Sequence, residues 1–189
     1  MVPVPLVLRH RPSGSLIENE KRSLSGIEWL RATMERKVGD PPIMRMTGMR
    51  TTDVGPSFAD GTATVTMPAS PWFSNAFGSV YGGAITLLAE FASTCACLAT
   101  VPAATAFAPL DLKVNFLRPV LPDHATLTAS ATVTHRGRSV AVVASQVVNE
   151  TGKKVAVASE TILILPGRPW ERPVYVVDEL PDWGVNPRQ

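Results

Sequence analysis

Residues that build metal centres and cross-links are scarce in this sequence. The 189 positions include three histidines, His10, His124 and His135, and two cysteines, Cys95 and Cys97. The histidines lie far apart and no His or Cys grouping has ligand spacing, so no metal site is expected. Two cysteines two apart on a helix point to different sides, which argues against a disulfide between them. Buried free thiols suit a reducing compartment. An excess of one charge is lacking as well: 18 Lys and Arg stand against 16 Asp and Glu, a net charge of +2. A nucleic-acid-binding face needs clustered basic residues, and here they are scattered, so no nucleic-acid partner is expected. The opening MVPVPLVLRHRP is broken by prolines where a secretory leader has a basic and then an apolar run. A cytoplasmic protein is expected.

The most informative shortage is local. From position 61 to 110 there is no Lys, Arg, Asp or Glu except Glu90. A carboxylate is costly to withdraw from water unless it is paired or hydrogen-bonded, so a single acid in such a stretch calls for an explanation. Residues 82–99 approach the minimum length for a membrane crossing. Glu90 would then lie at mid-bilayer, at a cost of roughly 2.5 kcal/mol or more, and basic flanks are missing. The segment reads instead as a helix buried in protein.

What is present is ordinary globular material, 45% hydrophobic and 18% charged with a mean hydropathy of +0.12, and enough of it for one domain with a real core. Residues 1–22 are polar and proline-bearing and read as a loose arm. From Ser23 onward, Ile27, Leu30 and Met34 recur at spacings of three and four, predicting a short amphipathic helix that Gly39 and Pro41-Pro42 end. Gly61 to Met67 alternates as a strand, closed by Pro68 and Pro71. The central helix opens near Gly82 and runs to about Ala99, apolar nearly all round and so requiring enclosure. After a loop over Val101–Pro109 come four strand-like segments, LDLKVNFL, ATLTASATVTH, SVAVVASQVVN and KVAVASETILIL. In the first, Leu110, Leu112, Val114 and Phe116 fall on one face. Short joints at Leu121-Pro122-Asp123, Arg136-Gly137-Arg138 and 149–152 predict a meander of antiparallel neighbours. The domain is expected over 23–165. Residues 166–189 form a tail that packs on the body or is partly disordered, with one short strand at Val174–Val177. An antiparallel sheet around one apolar helix is an α+β arrangement.

The stretch NAFGSVYGGAITLLAE, followed by LDLKVNFLRPV and THRGRSVAVVASQVVNETGKKVAVAS, resembles the hotdog-fold acyl-CoA thioesterases of the phenylacetate-pathway type over roughly residues 27–165. The resemblance implies a hotdog fold and a working set in which Asn75 takes the place of an Asn or Gln. Gly78 matches a loop glycine, Gly82-Gly83 the paired glycines at the helix start, and Glu90 the acid two turns on. Thr94, four residues after Glu90, shares its helical face and matches a hydroxyl that helps hold water or the acid. Two positions depart from the pattern. Tyr81 replaces the usual histidine, and Pro109 stands where some relatives carry a catalytic Ser.

The implied activity is hydrolysis of an aryl- or fatty-acyl-CoA thioester. Free N–H groups at a helix N-terminus stabilise a developing oxyanion, and glycines there let a carbonyl approach closely. Glu90 would act as general base or nucleophile, with its pKa raised by apolar surroundings. It lies about 12 Å along an ideal helix from Gly82, too far for one chain to hold both around a single carbonyl. A dimer, or a dimer of dimers, with the helix start of one chain facing Glu90 of the other, resolves this. Arg118, Arg136 and Arg138 are candidates for the phosphates of coenzyme A. No cofactor is required beyond the coenzyme A carried by the substrate. The alternative is a non-catalytic acyl-CoA-binding protein that kept the pocket after Tyr81 replaced histidine.

Overall fold

The computed structural model describes residues 23–57 and 59–167. The expected arm, most of the tail and the strand at Val174–Val177 lie outside the described residues. Helix α1 (Gly26–Met34) opens behind Ser25, whose N–H donates to the Glu28 carboxylate at 2.8 Å. That reciprocal bond satisfies a donor the first turn cannot. Ile27 and Leu30 are buried as their spacing predicts, whereas Met34 ends at the surface.

The prolines expected to stop this helix instead start another. Pro42 is the first residue of α2 (Pro42–Thr47), a position where a missing N–H costs nothing. Gly48 closes α2 at φ +75°, the left-handed cap that glycine adopts most easily. A five-residue strand, β1 (Arg50–Val54), follows. The sequence reading missed it because four of its five residues are polar and the two that are buried, Thr51 and Val54, lie three apart across a register shift and break the alternation.

The sheet has six strands in the order β1-β2-β4-β5-β6-β3, all neighbours antiparallel. Strand β2 (Thr62–Pro68) alternates buried and half-buried residues, as expected of a strand with one core face. Strands β4 (Thr126–Arg136), β5 (Val140–Val148) and β6 (Lys154–Leu165) are joined as the hairpins the sequence predicts.

Strand β3 (Ala106–Phe116) departs from expectation in three ways. It begins inside the segment read as a loop, and it pairs with β6 rather than β4. The joint at Leu121-Pro122-Asp123 is therefore no hairpin. Residues 117–125 instead cross the molecule, with Leu117 N–H bonded to Val155, Val120 accepting from Val80 N–H, and His124 N–H bonded to Ala69. The strand also shifts register between Pro109 and Asp111. This bulge takes Leu110 out of the alternation with Leu112, Val114 and Phe116, and leaves it 57% exposed.

Helix α3 (Gly82–Leu98) lies across the sheet, packed on β2, β4 and β5. Ile85, Leu88, Ala89, Ala92 and Ala96 are its buried side, and small residues let the sheet come close. Leu87, Phe91 and Leu98 are only partly covered by this one chain, so the helix is not enclosed all round as its composition predicts.

Candidate active site

The loop that leads into α3 is built around Asn75. Its Oδ1 accepts from Phe77 N–H at 2.9 Å and Ser79 N–H at 3.2 Å, and its Nδ2 donates to Ser79 Oγ at 2.8 Å. The backbone closes the same turn, with Asn75 N–H on the Ser79 carbonyl at 2.8 Å. These bonds hold the loop in shape, so in the single chain Asn75 bonds within its own turn rather than to Glu90. Phe77 projects from the turn almost wholly exposed, at 94%.

Gly82 and Gly83 begin α3, and no side chain caps its first turn. Aromatic rings crowd both glycines. A Cβ on Gly82 would lie 3.1 Å from the Phe116 ring, and one on Gly83 would lie 2.9 Å from the Tyr81 ring. The pair therefore leaves uncapped N–H groups flanked by rings, an environment suited to an oxyanion. Tyr81, at the usual histidine position, is fixed by its N–H on the Phe73 carbonyl at 2.6 Å.

Two turns on, Thr94 Oγ1 donates to Glu90 Oε1 at 3.1 Å. The expected pairing of these two side chains on one helical face is present. Burial raises the Glu90 pKa above the ordinary carboxylate value, and the Thr94 hydroxyl partly offsets the rise. Both residues are half-buried, on the side of the helix that one chain leaves open.

A second carboxyl lies nearby. Glu160 on β6 is fully buried, and its pKa is pushed up to about 8, chiefly by burial and then by the charge on Glu90. The sequence reading missed it, although the signal was there: Glu160 is in phase with Ala156, Ala158, Ile162 and Ile164, the inward positions of the strand. The two cysteines of α3 are also enclosed. Burial drives Cys95 up to about 12 and Cys97 up to about 11.

The three candidate arginines are not brought together. Arg118 follows the β3 end that touches Gly82, and one of its N–H groups donates to the Lys154 carbonyl at 2.5 Å. Arg136 lies at the other end of α3, with Nε on Thr100 Oγ1 at 3.1 Å, roughly 25 Å away along an ideal 17-residue helix. There it joins Thr100, Pro102 and His135 in an open cavity of about 580 Å³ that excludes Glu90. Arg138 is exposed on the following turn. Pro109 pairs with Ile162 immediately before the bulge and supplies no hydroxyl. No helix among the described residues is long and apolar enough to cross a membrane.

A six-stranded antiparallel sheet packed on one long helix, with an acid two turns past a glycine pair, is a hotdog arrangement. Residues 77–156 match the model of the thioesterase superfamily. The acyl-coenzyme A thioesterase PaaI of Escherichia coli is 37% identical over 100 residues, covering 53% of this chain and 69% of that protein. The solved structure of E. coli PaaI, from the phenylacetic acid degradation operon, superposes with a TM-score of 0.65 at 27% identity, covering 78% of this chain and all of the other. A mutant of the phenylacetic acid degradation protein PaaI from Thermus thermophilus superposes at 0.57 with 25% identity, covering 65% and 97% of the two chains. The chain belongs to the PaaI-like hotdog thioesterases and is a thioester hydrolase. The alternative of a binding protein without catalysis gives way to this reading.

Proposed function

We propose that the protein hydrolyses the thioester of an aryl- or fatty-acyl-CoA, releasing the free acid and coenzyme A, at a site shared between two copies of the chain. The observation that carries this reading is the Glu90–Thr94 pair, held on the open side of an apolar helix with the Glu90 pKa raised. An acid so placed is poised to take a proton from water or to attack a carbonyl carbon directly. The Gly82–Gly83 helix start offers the oxyanion its N–H donors, but about 12 Å along the helix from Glu90. A second chain, with its helix start opposite this Glu90, brings the two halves around one carbonyl and yields two equivalent sites per dimer.

The surface supports such a pairing. Among the described residues strand β3 is a sheet edge, and Leu110, Phe116, Leu117 and Tyr81 are exposed along it and at the adjoining helix start. A long apolar edge invites another strand. Two such dimers can pair again. Of the three arginines, Arg118 is the one we assign to a coenzyme A phosphate, since it follows the β3 end that touches Gly82 and has donors beyond the one given to Lys154. The buried thiols suit a reducing cytoplasm, and the chemistry calls for no metal or redox group.

The test is free-thiol release from a panel of aryl- and fatty-acyl-CoAs. Wild type should turn over at least one class, and Glu90→Ala should lose roughly a thousandfold in rate. A variant as fast as wild type would remove Glu90 from the chemistry. A wild type that binds these thioesters without releasing thiol would overturn the hydrolase reading and leave an acyl-CoA-binding protein.

A further inference from the structure

Glu160 is a buried acid that the hydrolysis assigned to Glu90 does not use. It lies midway along β6, in register with Leu112 of β3 and Val143 of β5. It is 0% exposed, and neither of its carboxyl oxygens has a hydrogen-bond partner among the described residues. From α3 it is faced by Glu90, Cys97 and Ser93, and from β3 the charge of Asp111 reaches it. The β5 neighbours on its face, Val143 and Ser145, bring no titratable group, and the Ser145 hydroxyl is itself buried without a partner. Ser93 stands close enough to favour the ionised form slightly, but its hydroxyl is committed to the Ala89 carbonyl at 3.0 Å. No cation is among the groups that act on it.

An ionised carboxylate in this position would be a buried charge with no counter-ion and no uncommitted donor among the described residues, which proteins tolerate poorly. The charge that acts on it most strongly, Glu90, has the same sign, and two interacting carboxyls titrate as a pair rather than singly. The member sealed under the helix is the one that keeps a proton. Glu90, half-exposed and bonded by Thr94, is the one that gives its proton up first.

We propose that Glu160 is a positioning residue for the hydrolysis assigned to Glu90: the two carboxyls hold one proton between them, Glu160 keeps it while Glu90 works, and its loss shuts the site down. This rests on the hydrolase reading above. The proton balance is simple. Glu90 takes a proton from water and returns it to the departing thiolate, while the Glu160 proton stays in place throughout. With Glu160 neutral, the pair carries one negative charge. With both ionised, the second charge opposes the oxyanion that the helix start must stabilise.

The test compares wild type with Glu160→Gln, a neutral side chain of the same shape, by two measurements. The first is the pH profile of kcat and kcat/KM from pH 5 to 9.5. Wild type should lose rate progressively above about pH 8, towards tenfold per pH unit. Glu160→Gln should abolish that alkaline fall, stay within about threefold of the wild-type rate at pH 7 and keep the acid limb set by Glu90.

The second measurement is the melting temperature over the same range, which needs no substrate. The folded-state pKa is raised to about 8 above an unfolded value of about 4.3, so between these values only the folded state binds the proton. Wild-type stability should therefore fall as pH rises through that window, with the loss complete above it. Relative to Glu160→Gln, the wild-type melting temperature should drop by at least about 4 °C between pH 5 and 8.

Coincident wild-type and variant profiles in both measurements would overturn the proposal, as would an alkaline fall that survives in Glu160→Gln. If the variant does not fold, carbon-13 NMR of labelled wild-type glutamates decides: one carboxyl titrating near 8 supports the proposal, and none above 7 overturns it. A wild type inactive on every thioester, yet with the expected melting difference from Glu160→Gln, locates the failure in the hydrolase reading instead.

Discussion

Among the described residues the sheet ends in two edge strands of opposite character. Strand β1 has five residues, two of them the charged Arg50 and Asp53, and it shifts register between Thr51 and Asp53. Helix α1 packs against it. Short length, charge, a bulge and a covering helix are the ways a protein keeps an edge from pairing. Strand β3 has eleven residues, with Leu110 and Phe116 exposed on it and Leu117 just beyond. One edge is closed to company and the other is left open beside the helix start. The difference locates the proposed chain pairing on β3.

Three variants break or sharpen this contrast. The largest effect is expected from Leu110→Lys combined with Leu117→Lys, which places charge on the open edge at positions already exposed in the single chain. Sedimentation should show a monomer at micromolar concentration, and thiol release should fall at least about a hundredfold while the circular dichroism spectrum stays native. A fully active monomer would end the shared-site reading. A middle effect is expected from Thr94→Val, which leaves the edge intact and removes the bond to Glu90. The rate should drop about tenfold, equivalent to about 1.4 kcal/mol of barrier. Because the Thr94 hydroxyl lowers the Glu90 pKa, its removal raises that pKa, and the acid limb of the pH–rate profile should move to higher pH. The smallest effect is expected from Thr52→Lys on the closed edge. It should leave assembly and rate unchanged and stability within about 0.5 kcal/mol, as read by denaturant titration.

How much of this was legible in the sequence depended on whether the signal was local. Helix α3 was, because its start needs glycines and its 17-residue body is apolar nearly all round. The Glu90–Thr94 bond was too, because a spacing of four sets two side chains on one face. The place of β3 was not. Its pairing with β6 joins residues some fifty positions apart, and a connection containing two prolines, Pro119 and Pro122, looked like a turn when it is a crossover. The bulge at Leu110 was equally hidden, since period-two alternation continues through it in the sequence and only the partner strand reveals the slip. Asn75 was read as a working amide that could also simply cap a turn, and in the single chain it bonds within its own turn. Glu160 was overlooked for a different reason. A lone acid at an inward position of KVAVASETILIL breaks the pattern by a single residue, and it drew no notice beside the charge-free stretch around Glu90.

The sealed cysteines have a practical consequence at the bench. A disulfide dye that reports coenzyme A release reacts with thiolates, and Cys95 and Cys97, both buried with pKa values far above assay pH, present almost none. The native protein should be colourless towards the dye without any cysteine replacement. Each thiol counted then comes from substrate, and a slow colour in a substrate-free blank measures how often the core around α3 opens.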